Sequence, residues 1–174
     1  MKKITLLLYV ALLASFTAMA QYSFPAVVGP TNVAQGTPVT ININDAANSA
    51  GVPAGSYSTF SVSVDWVDDN NAFSSEADLT MTTSAGSVVI DPPTSGGGTD
   101  VPTTLTFDGT FTADYDASVN GALDIVLNQS WSGSSANWSN IVVTIIPAIT
   151  CTAPTATFTV IEDCALGFTV DIDV

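Results

Sequence analysis

From Phe60 to Trp66 every second residue is apolar: Phe60, Val62, Val64 and Trp66 alternate with Ser61, Ser63 and Asp65. Strict period-two patterning puts all four apolar groups on one face of an extended strand. That face must be covered by another layer to leave water. Further strand candidates recur at 39–43, 79–81, 88–90, 105–107, 123–127 and 141–146, separated by turn formers at 68–71, 84–86 and 114–116. No stretch carries a convincing helical stripe, and Thr, Ser, Val, Gly and Asn dominate where helix formers would be needed. Several short strands with one buried face predict an all-β fold, two antiparallel sheets packed as a β-sandwich over residues 21–147. The Gly/Pro-rich stretch 92–102 reads as a loop inside that domain, because neither flank alone could build a core.

The second constraint is a missing residue class. The chain has two cations, Lys2 and Lys3, and no histidine, against sixteen acidic groups, for a net charge of −14. Both lysines precede an apolar run, 4–13, which ends in the small-residue site Ala18, Met19, Ala20. That layout predicts a secretory signal peptide over 1–20, cleaved after Ala20, and a secreted or cell-surface protein. The run is too short to span a membrane.

Past Ala20 nothing is cationic. Nucleic-acid binding loses its Lys and Arg, as does attraction to an anionic membrane. A phosphate loop lacks its lysine, and Ser-His-Asp or Cys-His chemistry lacks its base. Paired carboxylates remain as a catalytic option, but the only glutamates, Glu76 and Glu162, fall in different predicted units. The expectation is therefore a non-enzyme. Salt bridges cannot form after cleavage, so the fold must rest on packing, and clustered acids need hydrogen-bond donors, water or a metal ion.

Calcium is the cation such acids suggest, since it accepts six to eight oxygen ligands in flexible geometry. The densest grouping offers Asp68, Asp69, Asn70, Glu76 and Asp78, although it does not match an EF-hand loop. The competing reading is that Asp and Asn serve as turn formers on a solvated face. Of the three tryptophans, Trp66 is in phase with the apolar face of 60–66, and Trp138 precedes a strand, as core or edge. Trp131, set among Ser and Gly, is the aromatic best suited to stack on a ligand, with a core position as the alternative.

A second unit is expected over 148–174, with strands at 155–161 and 168–174. Cys151 and Cys164, the only cysteines, have twelve residues between them. In an exported chain they are expected to pair, a loop of this size gaining ~3 kcal/mol in the chain-entropy model.

Two stretches resemble a family. Residues 77–90, beginning Ala77, Asp78, Leu79, resemble a hairpin of proprotein-convertase P-domain jelly rolls. Asn120 and Gly121 leading into 123–127, then Gly133 and Trp138 to Ile141, are similar to that family's closing strands. Ala122 and Leu123 stand where that family has a tryptophan, and Ala85 where it has a proline. The tail, from Cys151 to Pro154 and from Glu162 to Cys164, resembles the opening of fibronectin-III-like repeats in modular secreted proteins of type IX-secreting bacteria. The resemblance implies a jelly-roll-like sandwich followed by a truncated Ig/fibronectin-III-like domain. In function it implies a non-catalytic module for adhesion or for binding an extracellular glycan or protein, at the N-terminus of a larger protein. The alternatives are an accessory domain of an exported hydrolase, protease or glycosidase, and a structural spacer.

Overall fold

The computed structural model describes residues 20–45, 51–93 and 101–148, together with the backbone of two further strands, Thr157–Asp163 and Gly167–Asp173. The expected signal peptide, apart from Ala20, and both cysteines lie outside the described residues. Among the described residues, no helix is long and apolar enough to cross a membrane.

Nine strands precede that last pair: β1 (Tyr22–Ser23), β2 (Thr31–Ala34), β3 (Val39–Asn44), β4 (Tyr57–Asn70), β5 (Ala77–Thr83), β6 (Gly86–Ile90), β7 (Thr103–Tyr115), β8 (Leu123–Gln129) and β9 (Ser135–Pro147). Their pairing is nested and antiparallel: β5 with β6, β4 with β7, β3 with β8, β2 with β9. A long hairpin folded over on itself produces that nesting. It yields one sheet ordered β1-β9-β4-β7, with β2 also on β9, and a second ordered β3-β8-β5-β6. This is an eight-stranded jelly roll with β1 added, so the expected all-β, jelly-roll-like sandwich is what the chain forms. Strands β10 (Thr157–Asp163) and β11 (Gly167–Asp173) pair with each other as a separate two-stranded sheet.

The alternation in 60–66 becomes the middle of β4, which pairs with β9 on one side and β7 on the other. Phe60, Val62, Val64 and Trp66 all point into the core and are buried. They face Leu79 and Met81 of β5 and Leu123, Ile125 and Leu127 of β8 within one apolar cluster. Trp66 and Trp138 are register partners on neighbouring strands, both buried. The Trp138 ring stacks on Phe107 at 5.9 Å and 15°, and Phe111 lies between Phe60 (4.8 Å) and Tyr115 (5.5 Å). Each such pair contributes about 0.5–1.5 kcal/mol beyond area burial.

Three departures from the sequence reading share a non-local cause. β9 begins at Ser135, six residues before the expected strand, because a bulge breaks its phase. Asn140 adopts φ 49° there, which lets both Trp138 and Ile141 point inward. Residues 68–70, expected as a turn, continue β4 because Ala136 and Ser135 pair with them. Residues 114–115, also expected as a turn, end β7, with Tyr115 buried.

The end of the sandwich beside Tyr115 is sealed by polar contacts within the chain. Asn44 donates from Nδ2 to Tyr115 Oη (2.8 Å), and that hydroxyl donates to the Gly121 carbonyl (3.0 Å). Tyr57 donates to the Pro53 carbonyl four residues upstream (2.9 Å). The short helix α1 (Ala117–Asn120) is capped by Asp116, whose side chain accepts from the Ser118 backbone (2.8 Å). Along one side of the sandwich β6 and β7 approach each other, with Thr112 donating to the Ser87 carbonyl (3.4 Å).

Gly109 is opposite Phe60 in the β4–β7 register, and the ring fills the space a side chain would need. A Cβ at 109 would overlap the Phe60 ring at Cζ and Cε2. Gly109→Ala is expected to destabilise the fold by about 1–3 kcal/mol through overpacking, read by urea denaturation. Ser61→Ala, on the outer face, should stay within about 0.5 kcal/mol. Equal stability of Gly109→Ala and the parent would contradict this packing.

Candidate ligand-binding end of the sandwich

At the end opposite Tyr115, three connections meet: 35–38 between β2 and β3, 71–76 between β4 and β5, and 130–134 between β8 and β9. Backbone hydrogen bonds tie them together. Gln35 N–H donates to the Ser134 carbonyl (2.9 Å), and Ser130 N–H to the Glu76 carbonyl (2.9 Å). Asn70 adds a side-chain bond from Nδ2 to the Gly133 carbonyl (3.0 Å). Gly133 has φ 79°, the left-handed conformation glycine adopts without strain, and this shapes the turn after Trp131. Ser134 closes that turn, bonding to the Trp131 carbonyl through both its backbone N–H (3.2 Å) and its hydroxyl (2.8 Å).

These loops hold two aromatic side chains in solvent. Trp131 is 58% exposed and Phe73 39%, the two exposed large aromatics among the described residues. Trp66 and Trp138, by contrast, are both buried, with indole N–H groups that have no partner among the described residues. The sequence left Trp131 between core and ligand. The structure puts it on the surface, on a braced turn. Phe73 was not singled out, and nothing in its immediate sequence distinguishes it from a core aromatic.

Beneath Phe73, a single 3-10 turn (Ser74–Glu76) is fastened to β8. Glu76 Oε2 accepts from the Phe73 backbone N–H (3.1 Å) and from Gln129 Nε2 (3.2 Å), which also donates to the Phe73 carbonyl (3.1 Å). Gln129 is fully buried, and its Oε1 has no partner among the described residues. Its amide is oriented by those two donated bonds.

The residues that suggested calcium are each engaged by a partner of the chain. Asp68 caps the chain reversal after β4, accepting the Ala72 N–H (2.6 Å). Asp69 lies on the outer face of the β2-β9-β4 sheet and accepts from Ser135 Oγ (2.8 Å), Asn32 Nδ2 (2.9 Å) and Asn137 Nδ2 (3.3 Å). Those donors, Ser135 and Asn32 foremost, hold its carboxyl below the usual range. Asn70 is engaged by Gly133 and Glu76 by Phe73 and Gln129. Asp78 belongs to the other sheet, where it accepts from Asn128 Nδ2 (3.2 Å). Partial burial, together with the charge of Asp91, pushes its carboxyl up, against the opposing pull of that Asn128 bond. Among the described residues, no group of three or more His, Cys, Asp or Glu side chains could hold a metal ion together. Asn128 and Asn137, which begin N-glycosylation triplets, both donate to carboxylates within strands.

A concavity of about 540 Å³ opens on the outer face beside Asp65, Val67, Pro102, Thr104 and Ser139. Asp65 accepts there from Asn140 Nδ2 (2.8 Å) and Thr104 Oγ1 (3.0 Å), which lower its carboxyl in the same way as Asp69. It has no exposed aromatic wall, and its polar groups bond one another.

The chain matches no protein-family model and no curated protein. Among solved structures it is similar to the infectious bursal disease virus VP2 subviral particle, at 14% identity and a TM-score of 0.35, over 74% of this chain. The match spans 33% of that protein's chain, and at this score the likeness carries no argument.

Two outcomes follow from these carboxylates. Because folding raises the Asp78 carboxyl, its ionised form opposes folding at neutral pH. Asp78→Asn should therefore melt higher than the parent at pH 7, with the gain disappearing as pH falls below the ordinary aspartate value. An equal gain at pH 3 and pH 7 would contradict it. Because each of these five side chains is already engaged by a partner of the chain, adding calcium or a chelator should leave the thermal midpoint unchanged. A calcium-dependent rise of several degrees would contradict it.

Proposed function

We propose that this chain is a secreted or cell-surface β-sandwich module that binds an extracellular ligand through the Trp131 end, and that it serves adhesion in the N-terminal part of a larger, multidomain protein. One observation carries the reading: a tryptophan kept in water on a loop cross-tied to its neighbours, in a chain that buries its other two described tryptophans completely. Exposed indole is costly in apolar hydration, and a rigid aromatic anchor loses little entropy when a ligand covers it. Interface energy concentrates on such residues. Phe73 on the adjoining loop extends the apolar surface.

The reading is one of binding rather than catalysis. Past residue 20 the chain has no Lys, Arg or His to act as a base, an amine nucleophile or a cationic clamp. The opposite end of the sandwich has its tyrosines and Asn44 turned inward, which suits a structural role. Export before Gln21 accounts for both lysines, and a pairing of Cys151 with Cys164 would suit the compartment.

Surface-immobilised chain, tested against panels of extracellular glycans and proteins, should capture a ligand. Trp131→Ala should weaken that capture about tenfold or more while leaving the melting temperature unchanged, since the side chain is exposed. Capture indifferent to Trp131→Ala, or none by the parent, would overturn the reading.

A further inference from the structure

We propose that the concavity on the outer face at Asp65 is a second binding site, which takes an arginine side chain from an extended segment of a partner protein laid along β7. It is independent of the Trp131 end.

Three neighbouring strands build the concavity. Asp65 of β4 lies in register between Thr104 of β7 and Ser139 of β9, and all three line it, with Val67 and Pro102 as apolar walls. The bulge in the β4–β9 pairing falls here, and Asn140 in that bulge reaches the carboxylate. Bulges re-aim side chains in this way. Asn140 Nδ2 donates to Oδ2 (2.8 Å) and Thr104 Oγ1 to Oδ1 (3.0 Å), which fixes the carboxylate in place. With one donor on each oxygen and about four acceptor positions in all, both oxygens retain capacity for a further donor. Asp69, by contrast, carries three donors and is not part of the lining.

Charge selects the donor. The carboxylate is ionised at neutral pH, and the chain from residue 20 on has no cation to pair with it. A cationic donor gains a charge-assisted bond stronger than a neutral hydroxyl or amide can give, and an anionic ligand is repelled. A metal ion fits poorly, because calcium takes six to eight oxygens and Asp65 is the one carboxylate in the lining. Among organic cations a guanidinium suits two oxygens that are each open, since its planar fork presents N–H groups to both. An ammonium acts as a point charge. The methylene stem behind the guanidinium would rest on Val67 and Pro102, as long cationic side chains do on apolar surface.

The sheet edge supplies the reason for a protein source. β7 is the last strand of its sheet, and among the described residues no strand pairs with its outer edge. The contact of Thr112 with Ser87 lies toward the other end of β7. An extended segment can add beside Thr104 through main-chain hydrogen bonds, with alternate side chains on the face that holds the concavity. Its backbone would lie two strand spacings, ~10 Å, from β4. An arginine, an aspartate and the bond between them span that distance.

The test is NMR titration of the chain with blocked threonine-rich peptides that differ only in a central arginine, lysine, citrulline or glutamate. The arginine peptide should shift the Asn140 side-chain amide and the Thr104 and Ser139 signals, with affinity falling as salt is raised. Lysine should bind more weakly, and citrulline, which keeps the shape without the charge, about tenfold more weakly or worse. Asp65→Asn should lower the arginine affinity about tenfold or more. Asp69→Asn and Trp131→Ala should leave it within about twofold, with melting temperatures showing that each variant is folded. No binding of the arginine peptide, equal binding of citrulline, or binding undiminished in Asp65→Asn would overturn the site. The peptide comparison on the parent decides the matter even if Asp65→Asn does not fold. A loss in Asp69→Asn equal to that in Asp65→Asn would overturn the assignment to this concavity, and lysine binding equal to arginine would overturn the guanidinium. Free arginine amide or spermidine bound as tightly as the peptide would overturn the segment along β7.

Discussion

The structure depends on the inner face of β4. With no cation past Ala20 to form an ion pair, apolar burial and hydrogen bonding are the forces left to hold the sheets, and β4 concentrates the first of them. It is the strand that joins β9 to β7, and it contributes Tyr57, Phe60, Val62, Val64 and Trp66 to one core. Fully burying side chains of this size is worth roughly 1.5–3 kcal/mol each. Trp66 lies opposite Trp138 in the β4–β9 register, and Phe60 lies opposite Gly109 in the β4–β7 register. The acids then need only water and polar neighbours, and Asp65, Asp69 and Asp116 each find Ser, Thr or Asn donors on the surface.

Dividing the chain between its two ends gives the same sequence chemistry two uses. At one end Asn44, Tyr57 and Tyr115 turn polar groups inward, onto Pro53 and Gly121, and seal the sandwich. At the other, Ser and Asn side chains and backbone amides tie loops together through carbonyls and leave Trp131 and Phe73 outside. The braces are mostly to backbone, so the loop shape is set before any ligand arrives. Preorganisation of this kind is what a binding surface gains from being built on a rigid scaffold.

Much of the scaffold was legible because its signal is local. Alternation placed Phe60, Val62, Val64 and Trp66 on one face without reference to any partner, and the strands around Leu79, Leu105 and Leu123 follow the same logic. What escaped the sequence depends on partners far along the chain. Asp68 to Asn70 carry turn-forming side chains, and only the presence of Ala136 and Ser135 beside them makes them strand. β1 and β2 are two and four residues long, too short for a period to show. Trp131 was found as a candidate through its Ser/Gly surroundings. Asp69 was found for another reason, as a calcium ligand, because nothing local reveals that Asn32, Ser135 and Asn137 converge on it.

Three tryptophans give the account an internal comparison within one spectrum. The indole N–H resonances of Trp66, Trp138 and Trp131 can be followed by two-dimensional NMR during hydrogen exchange and then during titration with a ligand captured from the glycan and protein panels. Trp66 and Trp138 should be protected from exchange and unmoved by that ligand, while Trp131 exchanges fast and shifts on binding. A ligand-induced shift confined to the buried pair, or protection of Trp131 equal to theirs, would contradict both the placement of that side chain and the function drawn from it.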